Sequence, residues 1–146
     1  MSDFASDIQK FNAIYKLPVS ATPTLDVGVP LLDRLEAFKD ILAEELKEID
    51  DIVEAVKNES DPLTVLTMLA DLLGDIQVYC ASEMAKFGLP LDAVLATIMQ
   101  SNFSKLGADG MPIYDERGKV LKGPNYWKPE PKIRALLGSI KRGEQP

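Results

Sequence analysis

A chain of 146 residues, 46% hydrophobic and 27% charged, has the composition of a folded protein rather than a disordered one, and a length that suits one domain better than two. Its net charge of −7 argues against a nucleic-acid polymer as partner, because neutralising phosphates needs clustered Lys and Arg. One cysteine and no histidine exclude an internal disulfide, Ser-His triads and ordinary zinc sites, leaving hard oxygen ligands suited to Mg²⁺ or Mn²⁺. The first residues lack a basic stretch followed by an apolar one, and no apolar run approaches the roughly 18 residues of a membrane span. A cytoplasmic chain without membrane association is expected.

Ser2 or Asp3 can cap a first helix, ending near Lys16, whose Phe4, Ile8, Phe11, Ile14 and Tyr15 fall three or four apart. Pro18, Pro23, Gly28 and Pro30 predict an extended connector laid over the surface. Leu35, Phe38, Leu42, Leu46, Ile49, Ile52, Val53 and Val56 then recur at helical spacing, which predicts one helix over 31–58, roughly 42 Å long. Glu59-Ser60-Asp61-Pro62 is a stop and restart, with Ser60 or Asp61 as N-cap and proline at the first helical position. The second long helix, 62 to about 87, is apolar nearly all round, as expected of a helix in the middle of a bundle or of an oligomer. Its Gly74 costs about 1 kcal/mol of helix propensity and suggests the close approach of a helix or a ligand. Gly88-Leu89-Pro90 ends it and launches a third, from 91 to about 103. Asp115-Glu116-Arg117-Gly118 can close a small hairpin, and a short helix over 131–140 precedes a polar tail.

Chemistry enters where the apolar pattern is broken. Glu45 falls inside the buried arc of the long helix, in the series 35, 38, 42, 45, 49, 52, 56, where a leucine is expected. Glu48 lies one turn further at the edge of the arc, and Glu44 flanks Glu45. On the next helix Asp71 and Asp75 sit four apart, aligned with Thr64 and Ser82. The short turn makes the two helices antiparallel neighbours, so the two pairs, each about 11 to 15 residues from it, come level. Inward carboxylates are costly to desolvate unless a cation compensates them, and divalent ions held by carboxylates and waters can grip a triphosphate. The plainer alternative for Glu44, Glu45 and Glu48 is a solvated face paired with lysines such as Lys47. Lys105, Lys119 and Lys122 are equally compatible with solvated surface, Asn102 with a helix C-cap, Cys80 with core, and Tyr126 and Trp127 with packing anchors.

Taken together, these features resemble the all-α nucleoside triphosphate pyrophosphohydrolase superfamily, which includes MazG-like proteins, dimeric dUTPases and phosphoribosyl-ATP pyrophosphohydrolases. The family's Glu-Glu-x-x-Glu motif matches Glu44-Glu45-x-x-Glu48. Its second motif is commonly Glu-x-x-Asp. Asp75 fits the terminal Asp, Leu72 stands where the Glu would be, and Asp71 looks like the substitute, as in the Asp-x-x-x-Asp variant of phosphoribosyl-ATP-pyrophosphohydrolase-like members. Ser101-Asn102-x-Ser104-Lys105, followed by Gly118-Lys119-Val120-x-Lys122-Gly123, is similar to the tail of those members, where Asn and Lys side chains reach the phosphates.

The resemblance spans 34–129. It implies a single all-α domain over 1–146: an antiparallel helical bundle, core about 31–105, completed by oligomerisation to a homodimer or homotetramer. An irregular C-terminal segment, about 106–130, would cover the substrate. It implies Mg²⁺-dependent hydrolysis of a nucleoside triphosphate, noncanonical or dUTP-like nucleotides included, to monophosphate and pyrophosphate, with Mn²⁺ as an alternative ion. Glu45, Glu48, Asp71 and Asp75 would hold metal, Glu44 and Glu45 would serve catalysis, and Asn102, Lys105, Lys119 and Lys122 would bind substrate. The competing expectation is a non-catalytic helical protein that binds a nucleotide or a partner, with a structural cation site.

Overall fold

Helices begin in this chain where the sequence offers a cap or a proline. In the computed structural model, which describes residues 3–144, five follow one another: α1 (Phe4–Ile14), α2 (Leu31–Lys57), α3 (Pro62–Lys86), α4 (Leu91–Phe103) and α5 (Pro129–Lys141). The fold is all-α, and among the described residues β pairing is confined to one bridge, Tyr114 with Val120. Asp3 caps α1 by accepting a hydrogen bond from the Ser6 amide at 2.8 Å, while Ser2, the other candidate cap, lies outside the described residues. Asp61 caps α3, accepting from both the amide and the hydroxyl of Thr64. Prolines precede α2 and α4 and open α3 and α5. The chain divides into two compact units, Met1–Gly88 and Leu89–Pro146.

In the first unit α3 packs against both α1 and α2. The turn between α2 and α3 closes with Ser60 N donating to Ala55 O at 3.0 Å and with Glu59 at φ +57, a left-handed conformation that costs a residue with a Cβ about 1 kcal/mol. The apolar stripe expected to bury α1 is only partly used: Ile8 and Asn12 are buried, whereas Phe4, Phe11, Ile14 and Tyr15 are exposed. A polar pin holds α1 to α3. Fully buried Asn12 donates through Nδ2 to Ser82 O and Pro18 O, each at 3.2 Å, and accepts from Ser82 Oγ at 2.7 Å. The extended connector then lies over the C-terminal end of α3. Ser20 N and Oγ donate to the carbonyls of Ala85 and Lys86, and Thr24 N to that of Phe87, satisfying acceptors that a helix end leaves open. At Gly88 the backbone has φ +66, and a Cβ would run into the carbonyl of Thr22, so only glycine fits.

Charge ties the start of α2 to the end of α3. Glu83 Oε1 receives Lys86 Nζ at 2.7 Å and Arg34 NH2 at 3.2 Å, with the Glu83 and Lys86 side chains more than nine-tenths buried. An open apolar groove of about 460 Å³ is lined by residues of both helices, Leu46, Ile49, Val53, Leu69, Leu73 and Ile76 among others. The sequence predicted a second helix too apolar all round for the other helices of one chain to cover completely. Along α3, Leu72 is buried while Leu63, Leu66, Leu69 and Leu73 remain exposed, because this unit supplies only α1 and α2 as cover. At Gly74, where the close approach of a helix or a ligand is expected, a Cβ would meet nothing of this chain within 4 Å. By length and composition α3 could cross a membrane, but Asp71 and Asp75 lie near its middle, where an ionised side chain costs about 2.5–3.5 kcal/mol.

In the second unit α4 packs on α5, and the intervening loop returns to the end of α4. Gly123 N donates to Lys105 O at 2.7 Å, Ser101 Oγ to Trp127 O at 2.9 Å, and Trp127 N to Ser104 Oγ at 3.2 Å. A Cβ on Gly123 would run into the carbonyl of Leu106. The expected hairpin forms at 115–118, where Asp115 Oδ1 accepts from the amides of Arg117 and Lys119. Trp127 and Tyr126 each carry a lysine over the ring, Lys132 at 3.7 Å and Lys122 at 5.0 Å, as packing anchors do.

Candidate active site

Helical spacing carries the carboxylates to where α2 and α3 face one another. Glu45 is half-buried, Asp75 half-buried, and Glu48 and Asp71 exposed. Their proximity is recorded in their electrostatics. The Glu48 carboxyl holds its proton above the ordinary range chiefly because of the Glu45 charge, then because of partial desolvation, and then because of Asp75, Asp71 and Asp51. The phenol of Tyr79 is likewise pushed up, first by the Glu45 charge, then by desolvation, and then by the charges of Asp75 and Glu48. The charges of Glu45, Asp71 and Asp75, from both helices, therefore converge on Glu48.

None of the ion pairs among the described residues reaches these four carboxylates. Glu45 Oε2 is buried and has no hydrogen-bond partner, an arrangement that leaves a desolvated acceptor uncompensated. Glu48, Asp51, Ile52, Met68 and Asp71 line a small hollow of about 130 Å³ beside it. Among the described residues, no three Asp, Glu or Cys side chains converge as a ready set of metal ligands. The donor chemistry nonetheless fits a divalent cation: all-oxygen, acidic, and with one buried oxygen lacking a partner.

Glu44 behaves differently from its neighbour. It points to solvent and pairs with Lys47 at 3.8 Å, with side-chain exposures of 77% and 73%, the solvated-face alternative for this residue. It is not among the groups that perturb Glu48 or Tyr79. In the second unit, Lys105 Nζ donates to Asn102 Oδ1 at 3.0 Å; Asn102 lies within α4, and Ser104 rather than Asn102 is the C-cap. The Gly123–Lys105 bond returns Lys122 to this same helix end, while Lys119 sits in the hairpin, its amide bound by Asp115. Charge follows the division into units. The first holds 7 Lys and Arg against 17 Asp and Glu, a net −10, and the second 9 against 6, a net +3.

Two members of the acidic cluster escape sequence reasoning. Asp51 is one turn beyond Glu48, and Tyr79 one turn beyond Asp75, so helical spacing carried the signal for both. Tyr79 is obscured because it also fits the apolar pattern of α3.

The fold has a counterpart among solved structures. The crystal structure of a "putative NTP pyrophosphohydrolase" from Exiguobacterium sp. 255-15, at 1.78 Å resolution, is similar with a TM-score of 0.53 and 22% identity, over 97% of this chain and 98% of that one. At that identity the likeness is one of fold. No protein-family model matches the chain, and no curated protein matches it in sequence.

Proposed function

We propose that this protein is a divalent-cation-dependent hydrolase that converts a nucleoside triphosphate to nucleoside monophosphate and pyrophosphate. The observation that carries the reading is the uncompensated cluster of Glu45, Glu48, Asp71 and Asp75, with the partnerless buried Oε2 of Glu45 at its centre. Like charges held together at the cost of mutual repulsion indicate a ligand of opposite sign. Support also comes from the likeness in fold to the Exiguobacterium protein described as a "putative NTP pyrophosphohydrolase".

In this reading Glu45, Glu48, Asp71 and Asp75 hold Mg²⁺ or Mn²⁺, which supplies charge neutralisation and Lewis acidity at the phosphates. Glu45 also accepts a proton from, and orients, the attacking water, and Glu44 supports it from the solvent side. Asn102, Lys105, Lys119 and Lys122 bind the phosphates, their cations offsetting charge on the leaving pyrophosphate. With no histidine and one cysteine, two common covalent nucleophiles are missing or single, and direct attack by water is the simpler path. The exposed apolar residues of α2 and α3 support a homodimer or homotetramer, and the acidic balance weighs against a nucleic-acid polymer as partner.

The test is pyrophosphate release from a panel of nucleoside triphosphates, noncanonical bases and dUTP included, with Mg²⁺ and with chelator. Metal-dependent release of pyrophosphate is expected. Sequential release of orthophosphate would overturn the assignment. The apolar groove and the lack of a converged ligand set favour one second reading, a non-catalytic helical protein binding a nucleotide or partner. Nucleotide binding without turnover across the panel would establish it.

A further inference from the structure

The α2–α3 pair carries two hollows, one apolar and one acidic. Nine of the ten residues lining the groove of about 460 Å³ are apolar and the tenth is Lys57, although this unit holds 17 Asp and Glu. Glu48, Asp51, Met68 and Asp71 line the smaller hollow of about 130 Å³, and Ile52 lines both. One half-buried side chain is therefore part of the wall of each.

Along the groove, Leu46, Ile49, Val53, Val56, Leu69 and Leu73 are each 39% to 58% exposed. Leu63 and Leu66 continue the same line of α3 at helical spacing and are more exposed still. The apolar face is on the order of 700 Å², more than the roughly 300–600 Å² of the largest patch on an ordinary monomer and close to the roughly 800 Å² per partner of a standard interface. Charge decides what covers it. Units of net −10 repel wherever their acidic surfaces meet, and an acid-free face is where two copies approach without that cost. A basic partner would seat on the acidic surface instead, whereas apolar matching about a two-fold axis needs no complementary charge.

We propose that a second copy of this chain seats on the α2–α3 groove, and that Ile52 couples this assembly to the filling of the acidic hollow by a divalent cation. The coupling rests on the metal-dependent reading above, and the seat does not. Assembly packs a partner against Ile52 in the groove, and a cation draws together the carboxylates beside it. Both events fix the spacing of the same two helices, through one packed side chain. Such coupling is reciprocal: the factor that assembly adds to cation affinity is the factor that the cation adds to assembly.

The experiment is sedimentation equilibrium of the full chain at constant ionic strength, in chelator and in saturating Mn²⁺, with Mn²⁺ binding followed by electron paramagnetic resonance. Wild type is compared with Val53→Gln, which puts a neutral amide into the seat of each copy, and with Ile52→Ala. The expected result is a wild-type dimer at micromolar concentration in chelator, with association at least about tenfold weaker in Val53→Gln, since each copy then buries an unpaired amide. Mn²⁺ should tighten wild-type association by about fivefold or more, and that ratio should fall towards one in Ile52→Ala. A purely structural loss at Ile52 would weaken association equally with and without the ion, so the ratio isolates the coupling.

A wild type that stays monomeric in both conditions, or a Val53→Gln that associates as wild type does, would overturn the seat. If Val53→Gln folds poorly, Val56→Gln at the more exposed position 56 decides the same point. Equal wild-type association with and without bound Mn²⁺ would overturn the coupling while leaving the metal site intact, and a ratio unchanged in Ile52→Ala would overturn the role of Ile52. A wild type that binds no Mn²⁺ would overturn the metal reading and the coupling with it, and the seat would still stand or fall by Val53→Gln.

Discussion

Charge meets charge twice along the α2–α3 pair, and the two meetings are built in opposite ways. Between the start of α2 and the end of α3, Glu83 is buried and receives both Arg34 and Lys86. Nearer the middle of the pair, Glu45, Glu48, Asp71 and Asp75 share one neighbourhood, and no ion pair among the described residues reaches any of them. A charge that serves the fold arrives with its counter-charge, since an unpaired buried ion costs several kcal/mol. A group of like charges that arrives without one destabilises the chain that carries it, which is the premise of the proposed cation site.

The comparison predicts opposite consequences for removing charge at the two levels. Glu45→Gln should lower metal-dependent turnover by at least about a thousandfold, or about 4 kcal/mol of transition-state stabilisation, without loss of folding. Steady-state rates beside a melting curve measure both, and near-normal turnover would place the chemistry elsewhere. Glu83→Gln should do the reverse. It leaves Arg34 and Lys86 buried without their anion, which costs about 3 kcal/mol of stability, read by chemical denaturation, while Mn²⁺ affinity is kept.

The sequence carried one level of this comparison better than the other. Glu45 was visible because it interrupts a leucine-type spacing, and Asp71 and Asp75 because four-residue spacing stacks them on an otherwise apolar helix. All five helices were legible to within a few residues, since prolines and an aspartate cap mark their starts. The Glu83 cluster was not legible, because Arg34 and Glu83 are 49 positions apart in the sequence and neither breaks a local pattern. The Asn12–Ser82 pin, 70 positions apart, was hidden for the same reason. Local periodicity reports which face a residue occupies, and long-range polar pairing leaves no periodic trace.

The pH dependence of stability sharpens the contrast further. The folded-state pKa of Glu48 is raised above the ordinary 4.5, with Glu45 the largest cause. Below 4.5 the group is protonated in folded and unfolded chains alike and subtracts nothing. As pH rises through the raised folded value it ionises against its neighbours, and its contribution becomes destabilising and stays so. Asp61 has the opposite sign. Hydrogen bonds from Thr64 lower its pKa, so its stabilisation is present above the ordinary 3.8 and is lost as pH falls through the lowered folded value. In chelator, Glu48→Gln should therefore melt above wild type at neutral pH and converge with it below 4.5. Mg²⁺ at neutral pH should raise the melting temperature of wild type more than that of the variant. Parallel curves that never converge would mean that Glu48 does not feel its acidic neighbours.

The smallest expected effect concerns the space beside the cluster. Gly74 sits between Asp71 and Asp75 in the interior of α3, and a Cβ there would meet nothing within 4 Å in this chain. Glycine in a helix interior costs about 0.5–1 kcal/mol relative to alanine because of the backbone entropy it loses on folding. Gly74→Ala should therefore raise the stability of the isolated chain by about that amount, measured by urea denaturation at low protein concentration. The same variant tests what lies against α3 in solution. If a second copy packs closely over Gly74, the added methyl overpacks the contact, which typically costs about 1–3 kcal/mol, and the sedimentation coefficient at micromolar concentration should fall towards that of a monomer. If the methyl changes metal affinity instead, the open space beside Gly74 belongs to the ligand of the carboxylates. A variant that is more stable, sediments as wild type and binds Mn²⁺ as wild type would leave Gly74 with neither role, and the uncompensated face would then be confined to the four carboxylates and Tyr79.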